Sequence, residues 1–467
     1  MDRRLGWWVG GGVALALLLL QLGEVTVSDG ADMLAVSHAL LHHFSLAVPA
    51  GYGVLGRNGH YFAKYGIGLS IAALPFVALG DLAAVVLGHQ AQAESFGASS
   101  LMPLVMGLLA VTLWHIACKL GASARWAAVV AVGAVAGTYA LPYGKDFFSE
   151  PLTALGIAIA IDRLLARRYA VAGLGLGLAV VTRPEAVVLV VLMPAVVWRF
   201  RDFQGAVRFG LVAAAGGLVD AGYNLLRFGS VLKSGYGREG FSTPFFHGAA
   251  GLLFGTNKSL FLFAPVVIVL LFSLRRMARS EGFYTALALT NFLAFFVLSA
   301  LWDSWQGGWS WGPRLILPGV LCAMPLLARA GRIERRAAFA LLLIGFVVSA
   351  STLLVPTEAQ ELDHPNPTNG PSIIRQYSLI PSVVRYSVLH LRAAHIPGAS
   401  RRYLALWQVN LGRELGTKGL LMGLVGSVIL LAALMIVVGR AWHLLQTAAP
   451  MWREPEPERP DQVPATA

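Results

Sequence analysis

Long apolar runs separated by short polar ones dominate this chain from end to end. A membrane span needs about 20 mostly apolar residues. About twelve such runs lie near residues 6–27, 100–118, 126–142, 151–166, 169–182, 184–198, 206–226, 259–274, 283–301, 313–328, 337–355 and 419–441. Of 467 residues, 57% are hydrophobic and 13% charged, against about 25% charged in an ordinary soluble domain. A cytosolic enzyme, a disordered chain and a secreted disulfide scaffold are therefore excluded. Cys118 and Cys322 are too few for a disulfide framework or a four-ligand zinc site, and both read as buried thiols. The fold class expected is all-α, a polytopic integral membrane protein.

In such a protein the net charge of +12 is first a signal of orientation, not of nucleic-acid binding. Arg3 and Arg4 precede the first run, which reads as an uncleaved span. Residues 65–88 are long enough to cross but are interrupted by Gly66, Gly68, Pro75, Gly80 and Asp81. If they lie in the interface or re-enter, nearly every arginine cluster falls on the cytoplasmic side. Those clusters include Arg163, Arg167 and Arg168, then Arg275, Arg276 and Arg279, then Arg332, Arg335 and Arg336. The non-crossing reading is adopted, with both termini cytoplasmic. It leaves outer segments at 23–99, 143–150, 227–258, 302–312 and 356–418. The chain divides into a core over 1–355, an outer region over 356–418, a last span over 419–442 and a Pro- and Glu-rich tail over 443–467, read as largely disordered. Abundant Ala, Gly, Val and Arg fit a GC-rich bacterial genome, hence a bacterial plasma membrane.

Charges near membrane depth are expensive and face a cavity. After the first span come Asp29 and Asp32; Ser28 or Asp29 serves as the N-cap of a helix starting there, or the two acids are functional. His38, His42 and His43 have partly helical spacing; interface histidines are the favoured reading over a metal site. The second outer loop carries Lys145, Asp146 and Glu150, either a solvated turn or part of the Asp29 cavity. Thr182-Arg183-Pro184-Glu185 forms the tip of a helical hairpin. Arg227, Tyr236 and Lys258 sit in glycine-rich loops, where anchoring at the membrane surface accounts for them. Trp302, Asp303, Trp305, Trp309 and Trp311 precede Gly312-Pro313-Arg314. Four tryptophans in ten residues exceed an aromatic belt. Their faces suit sugar rings or lipid tails, and Arg314 suits a phosphate at headgroup level. Asp162 and Asp220 read as polar residues paired inside the bundle, or else as marks of an ion path.

Taken in order, these pieces resemble a known family. They are Ser28-Asp29-Gly30-Ala31-Asp32, Ala63-Lys64-Tyr65-Gly66-Ile67-Gly68, Phe148-Ser149-Glu150, Thr182-Arg183-Pro184, Arg227-Phe228-Gly229 with Ser234-Gly235-Tyr236, Gly251-Leu252-Leu253-Phe254, and Gly307 to Arg314. Over roughly residues 1–330 the chain is similar to glycosyltransferases of the GT-C superfamily. Within these it resembles the bacterial membrane enzymes related to protein O-mannosyltransferases and aminoarabinose transferases. The resemblance implies a long first outer loop with interfacial helices, and transfer of a sugar from a polyprenyl-phosphate carrier on the outer membrane face. It implies Asp29 as the general base or a metal-linked acid, with Asp32 as second candidate, and Lys64 as a phosphate contact. Many members carry two adjacent acids where this chain has Asp29-Gly30.

The residue types fit that chemistry. Lys64, Arg314 and Arg183 are the candidates for the donor phosphate, whose charge grows as the glycosidic bond breaks. A carboxylate takes the proton of the attacking hydroxyl. Asp146, Glu150, Asp303, Trp309 and Tyr236 are the candidates for sugar or acceptor. Lys64 and Arg314 together at the phosphate make a metal non-obligatory, so no cofactor is required, although a divalent ion remains compatible. The partners expected are a polyprenyl-phosphate sugar, membrane lipid and a glycan, lipid or protein acceptor, with no nucleic acid. The competing reading is a transporter or flippase of a lipid-linked saccharide, against which stands the lack of an internal repeat.

Overall fold

The computed structural model describes residues 4–237, 239–308, 310–353, 384 and 406–447. The expected outer region 356–418 therefore lies mostly outside the described residues, as does the tail beyond 447. The first part of the chain forms α1 (Arg4–Leu20), α2 (Ser28–His43), α3 (Gly68–Leu87), α4 (Gln90–Lys119), α5 (Ala124–Ala136), α6 (Ser149–Leu165), α7 (Tyr169–Thr182) and α8 (Leu189–Phe200). The rest forms α9 (Phe203–Phe228), α10 (Phe245–Phe254), α11 (Leu260–Phe263), α12 (Val267–Ser280), α13 (Gly282–Leu301), α14 (Leu317–Ala323), α15 (Arg332–Ala350) and α16 (Trp407–Thr447). One addition to the all-α expectation is a two-stranded antiparallel hairpin in the first loop, β1 (Val54–Leu55) and β2 (Tyr61–Phe62), pairing Val54 with Phe62.

Helix starts follow local chemistry. The Ser123 side chain accepts the Trp126 N–H at the head of α5, and Asp202 accepts the Gly205 N–H at the head of α9. Helix pairs meet through small residues: Gly10 lies against Gly107, Gly156 against Gly175, and Gly177 against Gly216. Close backbone approach of this kind is how apolar helices pack where burial from water supplies no drive.

Among the described residues, α3, α4, α9, α13, α15 and α16 are long and apolar enough to cross a membrane. Several expected runs are shorter or divided. The run at 184–198 opens with a 3₁₀ turn at Pro184–Val188, and that at 259–274 is split into α11 and α12. The run at 313–328 is α14 between two 3₁₀ segments, Arg314–Ile316 and Met324–Arg329. Prolines at 184, 265, 313, 318 and 325 fall at these interruptions, where a missing N–H ends the regular ladder.

Residues 68–87 form one continuous helix despite Pro75 and Gly80. It makes an antiparallel hairpin with the start of α4, with Gly80 on Ala93 and Gly97 on Phe76. Its first residue, Gly68, sits on Thr182 at the end of α7. The start of α3 thus meets the end of α7, and its later turns pack on the first turns of α4. Lys119 and Asp162, 2.7 Å apart, tie α4 to α6 at the other end. That pairing, and the bond from Asn224 to Asp220 at 3.2 Å, give the two intrahelical acids partners within the bundle.

Candidate active site

The site is built on the first turn of α2. The residue before that helix is Val27, and neither Ser28 nor Asp29 caps it through a side chain. Asp29 reaches across instead. Its Oδ1 accepts the Tyr65 hydroxyl at 2.6 Å and its Oδ2 accepts Arg314 Nη2 at 2.7 Å. Gly30 explains why a second adjacent acid is missing. A Cβ there would stand 2.6 Å from the Phe147 carbonyl oxygen, so only glycine lets α2 lie against the 146–148 loop.

From Arg314 the ionic network continues inward. Arg314 Nε lies 3.8 Å from Glu150, too far for a hydrogen bond, and is buried with no hydrogen-bond partner among the described residues. Glu150 is buried at the head of α6 and accepts Arg183 Nη1. Arg183 also donates from Nε to Glu185. Sequence-distant acids and bases from α2, α6, the α7 hairpin and the segment after Gly312 therefore alternate in one line. Arg314 is placed by its own loop. Gly307 has φ +68°, and a Cβ there would press on the Arg314 stem at 2.9 Å.

Lys64 stands beside this line. Its Nζ bonds Glu239 at 3.0 Å and lies 5.0 Å from the centre of the Tyr236 ring. Tyr236 meets Tyr65 edge-on at 6.3 Å and Trp302 at 5.5 Å. The strand of chain carrying Lys64 is held from beneath by buried Arg227. That guanidinium donates to the Ala63 carbonyl and, at 3.1 Å, to the Tyr65 carbonyl, and lies 3.6 Å from the Tyr223 ring centre. The sequence offered anchoring as the role of Arg227; its spacing to residues 63–65 carried no hint of this bond.

Other candidates are placed elsewhere. Asp146 is buried and tied down, accepting the Thr26 hydroxyl, the Thr26 N–H at 3.3 Å and the Phe147 N–H at 2.7 Å. It fastens the segment before α2 to the loop before α6. Asp303 is exposed and accepts the Ser242 hydroxyl. Trp305 is buried with its ring against Gly251, and Trp311 is buried edge-on to Phe263 at 5.1 Å. Those two tryptophans are core, which corrects the reading of the whole cluster as a sugar or lipid platform. Trp309 lies outside the described residues. Lys258, read as an anchor, donates to the Ser310 carbonyl at 2.6 Å and the Gly308 carbonyl at 3.1 Å, bracing the loop that leads to Arg314.

The two carboxyls of α2 behave oppositely. Burial raises the pKa of Asp29, but Arg314 and then the Tyr65 hydroxyl outweigh it and hold the carboxyl below the usual range. Asp32, one turn on, has no side-chain hydrogen bond among the described residues. Burial, reinforced by the charge of Asp29 and partly offset by Lys64, pushes it up to about 6. The Tyr65 hydroxyl is pushed up by burial and by the same Asp29 charge, so it stays a proton donor. Asp29, Phe148, Gly308 and Arg314 open onto a cleft of about 1680 Å³ whose other walls include Phe76 of α3 and Trp407 of α16. The Asp29–Arg314 pair facing apolar helices suits a ligand with an anionic head and a hydrocarbon body.

No protein-family profile and no curated protein matches this sequence. Among solved structures, the fold is similar to ArnT from Cupriavidus metallidurans bound to undecaprenyl phosphate. The TM-score is 0.48 and the identity 15%, over 92% of this chain and 76% of that one. It is also similar to the archaeal oligosaccharyltransferase AglB from Archaeoglobus fulgidus in complex with an inhibitory peptide and a dolichol-phosphate. There the TM-score is 0.46 and the identity 14%, over 89% of this chain and 58% of that one.

Proposed function

We propose that this chain transfers a sugar from a polyprenyl-phosphate carrier to an acceptor hydroxyl, with inversion, at the end of the bundle where α2 lies. That end is the extracytoplasmic face of a bacterial plasma membrane, by the charge asymmetry of the loops. Both termini are then cytoplasmic, and α3 stays on the outer side. The observation that carries the reading is Arg314, which holds Asp29 with one nitrogen while its buried Nε has no hydrogen-bond partner among the described residues. A phosphate oxygen satisfies that donor.

The acceptor oxygen attacks the anomeric carbon, the bond from that carbon to the phosphate oxygen breaks, and the lipid phosphate leaves with the electron pair. Arg314, Lys64 and Arg183 stabilise the charge that develops there. Asp29 takes the acceptor proton. In the free protein Arg314 keeps Asp29 a weak base. A phosphate that draws Arg314 toward itself removes the partner opposing burial, so the carboxyl becomes a stronger base as the donor binds. Asp32 shapes that response through its own charge. Tyr236 and Trp302 offer ring faces for the sugar. Three cations at the phosphate leave no obligatory role for a metal in this step.

The test uses purified wild type and Asp29→Asn in lipid nanodiscs, with labelled polyprenyl-phosphate sugars and an envelope extract as acceptor. Label should leave the carrier with wild type only, while the variant still binds donor. Passage of intact lipid-linked saccharide across a bilayer, with no transfer by wild type, would establish the transporter reading instead.

A further inference from the structure

The other end of α2 carries a second cluster of chemistry-bearing side chains. His38 and His42 are four residues apart and so share one face of the helix. Across from them stand Asp81 of α3 and Glu94 of α4. His38 Nδ1 lies 2.9 Å from Glu94 Oε2. His42 Nε2 lies 3.1 Å from Asp81 Oδ2 and 3.6 Å from Glu94 Oε1. The ligand atoms of His38, His42 and Glu94 all fall within 4.8 Å of one another.

These spacings match a metal shell. Zinc takes imidazole nitrogen and carboxylate oxygen at about 2.0–2.2 Å, so the edges of a tetrahedron of such ligands measure about 3.3 Å. Two imidazoles and a buried carboxylate, with a fourth position left for water, form a donor set that a divalent first-row transition metal accepts and that calcium or magnesium, which prefer oxygen alone, does not. Glu94 makes the point sharper, because its side chain is only 6% exposed. A buried carboxylate needs a cation or a full set of donors. The partners shown for it are the two histidines and, at 2.9 Å, the Gln90 amide, which also reaches Asp81 at 3.2 Å. Gln90 thus orients both carboxylates, as supporting groups around a metal do.

We propose that His38, His42 and Glu94 bind one divalent transition metal, zinc by preference, with Asp81 beside His42 as a supporting carboxylate, and that the ion clamps α2 onto the α3–α4 hairpin. The site lies nine residues along α2 from Asp29, about 13 Å at the helical rise, and is separate from the phosphate network. Its role is to fix the helix that presents Asp29 and Asp32. The histidines alone read as interface residues in the sequence; only the fold brings Asp81 and Glu94 to them.

The experiment uses full-length protein without a histidine tag, in nanodiscs, titrated with Zn²⁺ against a competing chelator, with metal content measured after dialysis. About one equivalent is expected for wild type. His42→Ala and Glu94→Gln should each weaken binding by at least about 100-fold, the upper end of what loss of a mere supporting group does. Asp29→Asn should bind as wild type. Where a variant fails to fold, the Co²⁺ absorption spectrum of wild type decides, with intense visible bands expected for a four-coordinate site. Absence of stoichiometric metal, six-coordinate Co²⁺, binding that survives in the His38→Ala/His42→Ala double variant, or binding lost in Asp29→Asn would each overturn the assignment. None of these readouts depends on sugar transfer.

Discussion

Replacing Arg314 with alanine should move the acid limb of the pH–rate profile upward. Arg314 Nη2 sits 2.7 Å from Asp29 Oδ2 and is the largest influence lowering that carboxyl's pKa, against burial, which raises it. Two unit charges about 4 Å apart interact by ~4 kcal/mol at an effective dielectric of 20. Both side chains keep some exposure, so about half of that is expected to survive. The loss of about 2 kcal/mol then raises the Asp29 pKa, because a carboxyl stripped of its cation holds its proton longer. The profile of kcat/KM reports the free enzyme, so its acid limb should move to higher pH in Arg314→Ala. The same variant loses a donor to the leaving phosphate, and kcat should fall about 10²–10³-fold. The assay is release of label from polyprenyl-phosphate sugar across a pH series, with lipid and detergent held constant. An unmoved limb would refute the coupling of Arg314 to Asp29. A wild-type limb already near 6 that disappears in Asp32→Asn would make Asp32 the base instead.

Lys64→Ala should weaken donor binding at least about tenfold. Its melting temperature should hardly move, because the Lys64–Glu239 pair is 25% and 34% exposed and such pairs contribute about 0–1 kcal/mol; unchanged donor affinity would remove Lys64 from the phosphate site. Asp32→Asn should stabilise the protein near pH 7.5 by about 1 kcal/mol after allowance for solvent screening. The folded carboxyl keeps its proton up to about pH 6 and the unfolded one only to about 3.8, so stability falls as pH rises through that window; thermal melts at pH 4 and 7.5 should show the gain only at the higher pH. Gly30→Ala should destabilise despite the roughly 1 kcal/mol that alanine adds in a helix, because its Cβ would meet the Phe147 carbonyl at 2.6 Å and overpacking costs about 1–3 kcal/mol. A melting temperature at or above wild type would show that the 146–148 loop gives way.

The sequence by itself determined the membrane class, most helix positions and the ordered motifs that supply Asp29, Lys64, Arg183 and Arg314. Hydrophobicity and proline act locally along the chain, so a run of apolar residues forms a helix whatever surrounds it. Which residues meet was decided by the tertiary structure. The bond between Asp29 and Arg314 spans 285 positions, and Arg227 reaches Ala63 across 164. Helices apolar on nearly every face carry no stripe that would set their rotation or their neighbour. Small-residue contacts such as Gly156 on Gly175 set the packing. For the same reason, Asp146 is a loop tie, Trp305 and Trp311 are core, and His38 and His42 gain Asp81 and Glu94. A charged or aromatic side chain announces its chemistry in the sequence, but its role depends on partners that only the close approach of distant backbones brings within bonding distance.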